Sequence, residues 1–396
     1  MDLEAMLRKL CSMEEPDGTI VTVTLEVAKA HLSREATAFL RDKVFKRLES
    51  KQNSNGSLET LRSISKRIAS FVETEFPSET QGLFLVAGRK AWQSVELSVP
   101  IRNFVHVGSR PYVAPLLEAA TRTPRAYVLK YDQDEGVLWS LALGAWREIE
   151  RIPSAAVERD AEHKTSSRAA LVRTGSRGAG GGMGGGGRDR FERHFEDAAE
   201  AMLRQAAARV VSLQKEAPSE AIYAFGDREH FPFFRDHLPA DLRTQATHVG
   251  PVPHRHEDLL RKAVRRELNL LAKKRVDRAI VEFRERRAEG CRVALGPAEV
   301  LPHLDTGKVA RVFVDAYEPL MGGKCPGCGV LYEGVREKCD RCDKAPEGAS
   351  MTQEVVAHSV LHPPLPITFV PASQGWLKEL GGMAALLSKK GARTRR

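Results

Sequence analysis

Long apolar runs are missing from this chain of 396 residues. No stretch approaches the roughly 18 apolar residues that a membrane helix needs, and the opening MDLEAMLRKL lacks the basic-then-apolar order of a secretory signal. The expectation is a soluble, cytoplasmic protein with no membrane partner. Cysteine is scarce, six residues in all, which excludes a disulfide scaffold. No G-x-x-x-x-G-K-[ST] phosphate loop occurs, and no Ser/His/Asp or Cys/His arrangement sits at a recognisable nucleophile elbow. Acidic charge is in the minority, 52 Asp and Glu against 61 Lys and Arg, for a net charge of +9. That balance fits an acidic-surface enzyme poorly and points to a polyanionic partner, nucleic acid first.

The few cysteines are unevenly placed. Cys325, Cys328, Cys339 and Cys342 form C-x2-C-x10-C-x2-C, while Cys11 and Cys291 stand alone. Each pair puts two thiolates on one tight turn, and two such turns can converge into the tetrahedron that suits Zn²⁺. A redox dithiol needs one pair beside a βα turn, whereas this segment has two pairs in a loop-rich stretch. Four protein ligands leave no position for a catalytic water, so one structural zinc ion is expected, folding a small lobe over 321–347. Lys324, Arg336, Lys338 and Arg341 can offset the thiolate charge.

Patterning along the chain predicts a mixed α/β (α+β) protein of three domains. The first, 1–123, has a strand at DGTIVTVTLEV, a long amphipathic helical region over 33–76, strands at 82–88 and 92–99, and a short helix before Thr123. The second, 124–250, opens with a three-stranded meander at 125–132, 136–144 and 146–152. A helix over 189–215 follows, with Phe191, Phe195, Ala199, Met202 and Ala206 on one stripe, then a strand at 221–226 and a short helix from Phe231. The third, 251–396, has a long helix at 256–288 and a βαβ-like passage to Ala316. After the zinc lobe comes a strand at PITFVP.

Inside the middle domain lies a glycine-rich loop, 175–187, in which nine of thirteen residues are glycine. Lys164, Arg168, Arg173, Arg177, Arg188, Arg190 and Arg193 flank it, opposed across 164–193 by Asp189 and Glu192 alone. Glycine lets backbone amides approach a surface closely but costs the most entropy on ordering. With this charge the loop reads as an arm that a phosphate backbone can order through counterion release and amide contacts. A passive linker is the alternative; no strand immediately precedes G-x-G-x-x-G here, which argues against dinucleotide binding. Across 254–287 there are twelve basic and six acidic residues. Arg261, Arg265, Lys273 and Lys274 are therefore candidate RNA or ribosome contacts. The histidines at 230, 237, 248, 254 and 256 match no ligand spacing and read as a surface or turn cluster.

WREIERI, a polar loop, a glycine run and then RDRFERHFED resemble the middle domain of the archaeal and eukaryotic class-one release factors and Pelota, with Arg190, Phe191 and Arg193 on the family's Arg-Phe-x-Arg signature. VALGPAEVLPHLDTGKVARVFV, the four-cysteine insertion and LGGMAALL are similar to the family's last domain. The N-terminal segment best matches the bacterial branch, which includes the hibernation factor Balon. The resemblance covers roughly 124–396. It implies a ribosome-binding factor in the A site, with Gly184, Gly185, Gly186 and Gly187, and Arg177, Arg188, Arg190 and Arg193, near ribosomal RNA of the peptidyl-transferase centre. Aligning Arg190 and Phe191 puts Gly184 and Gly185 on the family's Gly-Gly pair and Gly186 where its catalytic Gln stands. The stop-codon motifs Asn-Ile-Lys-Ser and Tyr-x-Cys-x-x-x-Phe are missing. The expectation is a monomer with no catalytic residue, acting by occlusion in hibernation or stalled-ribosome recognition. Elongation factor Tu or another translational GTPase is the implied partner. Codon-independent peptidyl-tRNA hydrolysis by loop amides, and a zinc-containing RNA-binding protein unrelated to ribosomes, are the alternatives.

Overall fold

The computed structural model describes residues 3–15, 20–46, 58–154, 186–251, 257–290, 292–334, 336–362 and 365–388. In the N-terminal segment, α1 (Leu3–Ser12) precedes β1 (Ile20–Ala28), β2 (His31–Leu32) and α2 (Arg34–Phe39). Ser33 caps α2, its side chain accepting from the Ala36 N–H at 3.1 Å. A π-helical turn, Leu40–Phe45, continues α2. Then come α3 (Leu58–Val72), β3 (Gly82–Ala87), β4 (Trp92–Leu97), β5 (Phe104–Gly108) and α4 (Ala114–Arg122). Of the helical region expected over 33–76, residues 34–46 and 58–72 are helical, and 47–57 lie outside the described residues. Strand β1 pairs antiparallel with both β3 and β5. Its odd-numbered residues from Val21 to Val27 meet Leu40, Val44, Leu61, Ile64 and Ile68, so period-two and helical stripes close on one core. On its other face Thr22 Oγ1 accepts from the Tyr112 N–H at 2.9 Å and Thr24 Oγ1 donates to the Arg102 carbonyl at 2.5 Å, which satisfies two fully buried hydroxyls.

The middle segment is built on β6 (Ala126–Tyr131), β7 (Glu135–Ala142) and β8 (Ala145–Pro153), the expected meander. Helix α5 (Gly186–Glu216) leads to β9 (Ala221–Phe225), and α6 (Phe231–Asp236) and α7 (Ala240–Arg243) lead to β10 (Ala246–Gly250). The sheet order is β10-β9-β6-β7-β8, with β10, β9 and β6 parallel. Met202, Leu203, Ala206, Ala207, Val210 and Leu213 of α5 pack on Tyr127, Leu129 and Tyr131 of β6 and on Ile222 and Ala224 of β9. The Tyr127 hydroxyl donates to the Ala217 carbonyl at 2.7 Å and ties the end of the helix to the sheet.

Helix α8 (Glu257–Ala288) runs 32 residues, about 48 Å at 1.5 Å per residue. After it come β11 (Val293–Leu295), α9 (Gly296–Asp305), β12 (Val309–Val314), β13 (Met321–Lys324), β14 (Leu331–Tyr332) and β15 (Glu347–Ser350). The chain closes with α10 (Met351–Leu361), β16 (Ile367–Phe369), α11 (Trp376–Glu379) and β17 (Met383–Leu387). The βαβ-like passage is present as a split unit: β11 and β12 run parallel, joined by α9, with β17 between them and antiparallel to both. Phe283, Phe313 and Trp376 interlock beside it, with ring centroids 5.2–5.9 Å apart.

Compactness divides the chain into two units, one of Met1–Arg122 with Leu271–Arg396, the other Thr123–Leu270. The division falls inside α8. In the first unit Gln353 Oε1 accepts from the Val113 N–H at 2.7 Å, and Arg110 lies 2.7 Å from Glu14 and 3.6 Å from Glu354. Among the described residues no helix is long and apolar enough to cross a membrane.

Leu203 is fully buried in the α5 core, whereas Gln205 is exposed. Leu203→Ala should lower unfolding free energy in a urea titration by about 2–5 kcal/mol. Gln205→Ala should change it by less than about 0.5 kcal/mol.

Candidate metal centre and basic helices

The two C-x-x-C turns are the same structure twice. In the first, the Gly329 N–H donates to the Cys325 carbonyl at 2.9 Å and the Cys325 N–H to the Val330 carbonyl at 2.9 Å; in the second, Asp343 donates to Cys339 at 3.0 Å and Cys339 to Lys344 at 2.9 Å. The residue four places after each leading cysteine turns left-handed, Gly329 at φ 76° and Asp343 at φ 58°. Each leading sulfur accepts from an amide two residues on, Gly327 N–H to Cys325 and Arg341 N–H to Cys339, both at 3.4 Å. Strand β13 delivers the first turn, and β14 and β15 flank it.

The four sulfurs all lie within 4.8 Å of one another. Cys325 and Cys342 approach to 3.3 Å and Cys328 and Cys339 to 3.4 Å. A tetrahedral zinc with bonds near 2.3 Å needs sulfurs about 3.8 Å apart, so the donor set fits one such ion. Its electrostatics lead to the same point. The Tyr332 hydroxyl, 3.2 Å from Cys339 Sγ, and the Arg341 N–H hold the Cys339 thiol down at about 6. Cys328 is pushed up to about 12: the Val330 N–H works against the rise and is outweighed by the thiol's hydrogen bond to Cys339 and by partial desolvation among the other sulfurs. Four thiols this close cannot all ionise unless a cation sits among them, and a divalent ion meets that requirement.

The cations expected to offset the thiolates are mostly engaged elsewhere. Lys324 Nζ is 2.6 Å from Glu354, Arg336 is 2.8 Å from Asp340, and Arg341 is 3.5 Å from Asp305. Amide N–H groups and Tyr332 take over that role. Tyr332 lies between the cysteine pairs but belongs to no ligand motif; its ring carries Arg336 at 4.7 Å and its hydroxyl accepts from the Asp340 N–H at 3.1 Å.

Of the arm residues, Arg177, Gly184 and Gly185 lie outside the described residues. Gly186, Gly187, Arg188, Arg190 and Arg193 belong to the first turns of α5, their side chains outside the description. An α-helix N-terminus carries unsatisfied amides and a positive dipole end, which suits an anion. On α8, Arg261 sits 4.0 Å from Glu257 and 5.7 Å from the Trp146 ring centre. Arg265, Lys273 and Lys274 are exposed. The structure thus brings the four cysteines together, whereas Arg261 and Arg265 belong to one compact unit and Lys273 and Lys274 to the other. His230 and His248 are half-buried at the β9–β10 end of the middle sheet; His254 and His256 lie outside the described residues.

Residues 111–269 match the family model of bacterial archaeo-eukaryotic release factor family 10. No curated protein matches the chain. Among solved structures, the archaeal translation termination factor aRF1 is 13% identical, covering 98% of this chain and 97% of that one, at a TM-score of 0.24. Ribosome-bound archaeal Pelota with ABCE1 is 13% identical over 99% of this chain and 95% of that one, at 0.41. Dom34 of S. cerevisiae, a translation termination-like factor, is 9% identical over 77% and 75%, at 0.40. Superpositions this loose assign no role.

Metal analysis of the purified protein should find one divalent ion per chain, and Cys339→Ser should remove it. Tyr332→Phe should keep the ion but weaken its retention against a chelator about tenfold or more, as loss of a hydrogen bond to a ligand atom does.

Proposed function

From the match of residues 111–269 to the family model of the bacterial archaeo-eukaryotic release factors, we propose that this chain is a member of that family and a cytoplasmic ribosome-binding translation factor. It enters the A site and acts there by occlusion, in hibernation or on stalled ribosomes. The observation that carries the occluding role is the sequence at the start of α5. A helix opens at Gly186, with the signature residues Arg190, Phe191 and Arg193 in its first turns. Gly184 and Gly185 take the family's Gly-Gly pair, and Gly186 stands in place of its glutamine.

The physical consequence concerns water. Hydrolysis of a peptidyl-tRNA ester needs a group that orients the attacking water, and glycine has no side chain to do so. What the arm keeps is cation density and free amides, the means of holding phosphate. Arg188, Arg190 and Arg193, with Gly184 to Gly187 and Arg177, would meet ribosomal RNA. Arg261, Arg265, Lys273 and Lys274 would add contacts from α8. The metal is a structural Zn²⁺ that folds the lobe and takes no part in chemistry. A translational GTPase, elongation factor Tu in bacteria, would deliver or accompany the factor.

Co-sedimentation with 70S ribosomes at moderate salt tests binding. Charge reversal at Arg188, Arg190 and Arg193 should weaken it by at least tenfold and flatten its salt dependence. Ribosomes loaded with peptidyl-tRNA should show no peptide release. Release that disappears when Gly184 to Gly187 are replaced would overturn occlusion in favour of codon-independent hydrolysis. Failure to sediment with ribosomes would overturn both.

A further inference from the structure

We propose that the middle unit carries a nucleotide-binding crevice at the carboxyl edge of its sheet. Strands β6, β9 and β10 run parallel and end side by side at Tyr131, Phe225 and Gly250. After β6 the chain turns towards β7 on one side; after β9 it passes through α6 and α7 to β10 on the other. The two loops part between β6 and β9. Open α/β sheets hold ligands at such a switch point, because there diverging loops leave a crevice above the strand ends. A cavity of about 1330 Å³ opens at this place.

Its lining offers three kinds of contact. Arg228 and Arg235 supply cationic forks, Asp132 and Asp227 supply carboxylates, and Phe231 and His248 supply ring faces with centroids 5.5 Å apart. Arg228 has no ion-pair partner among the described residues, so its charge remains available to an anion. Guanidinium forks match phosphate, carboxylates accept from ribose hydroxyls and base amino groups, and aromatic faces stack on bases. A simple anion would use the arginines alone. A lone divalent cation would need tightly grouped ligand atoms, and among the described residues the four cysteines are the only such group. Phosphate, sugar and flat heterocycle in one molecule describe a nucleotide.

The crevice floor is fixed by the fold. The Tyr131 hydroxyl donates to the Asp227 carbonyl at 2.5 Å, His248 Nε2 lies 3.0 Å from the Gly226 carbonyl, and the Gly226 N–H donates to the Gly250 carbonyl at 3.0 Å. The Asp227 side chain accepts from the Glu229 N–H at 3.0 Å and closes the turn. Residue 226 must be glycine, since a Cβ there would meet the Tyr131 ring. A loop held this way keeps its binding geometry without a ligand, which removes part of the ordering cost of binding.

Either a free nucleotide or the end nucleotide of a single-stranded RNA would present this chemistry. Calorimetric titration of the full chain, without ribosomes, distinguishes them using AMP, GTP, a single-stranded RNA tetramer and tripolyphosphate. The expected result is binding of a nucleotide or the tetramer with a Kd of about 100 μM or tighter. Binding of AMP or GTP would identify a free nucleotide, and of the tetramer alone an RNA end. Arg228 and Arg235 are exposed, so Arg228→Ala with Arg235→Ala leaves the core intact and should weaken binding at least tenfold. Circular dichroism of that variant checks its fold. Tripolyphosphate binding as tight as GTP, no binding by any nucleotide or RNA probe, or binding unchanged in the double variant would each overturn the proposal. Because ribosomes are absent, the outcome is independent of the ribosome-binding reading.

Discussion

A strand paired on both edges and covered on both faces is the constraint from which most of this structure follows. It recurs in all three larger sheets: β1 between β3 and β5, β6 between β7 and β9, β17 between β11 and β12. Such a strand has no solvent to satisfy a polar side chain, so each one must be apolar or find a partner. Strand β17 takes the first course, with Met383–Leu387 wholly apolar and buried. Strand β1 takes the second at Thr22 and Thr24. Strand β6 does so at Tyr127 and Tyr131, whose hydroxyls reach the end of α5 and the loop after β9. Packing and polar satisfaction are therefore one problem here, and the side chains that solve it also place the loops.

The metal lobe solves a different problem with little apolar surface. Its hydrophobic cluster is Cys325, Tyr332 and Cys339 with Val330 against it, too few to hold a fold by burial alone. Two copies of one turn, each bonding its leading sulfur to an amide, supply order instead, and an ion bound by the four sulfurs would supply the free energy.

Much of this was legible in the sequence because its signals are local. The cysteine spacing, the alternation of IVTVTLEVA, the meander and α5 each declare themselves within a dozen or so residues. Strands β5 and β10 went unread: each is five residues long and interrupted by a histidine. Strand β17 gave no β signal, since Met, Ala and Leu favour helix when taken alone, and only partners at 293–295 and 309–314 make it a strand. The carboxyl-edge crevice was hidden for the same reason. Asp132, Arg228 and His248 share it only because three parallel strands end together. His230 and His248, which read in the sequence as part of a surface or turn cluster, line one wall of it.

The first compact unit is assembled from the beginning and the end of the chain, Met1–Arg122 with Leu271–Arg396. Synthesis runs from the N-terminus, and domains fold as units as they emerge. The middle unit is continuous, so it can close while translation is still under way. Residues 1–122 must wait for those beyond 270. Until α10 emerges the N-terminal segment lacks Gln353 and Glu354, and until β17 emerges β11 and β12 lack the strand that joins them. Completion of this unit is therefore tied to synthesis of residues 271–388, and a chain cut short after the middle unit would leave residues 1–122 without their partner half.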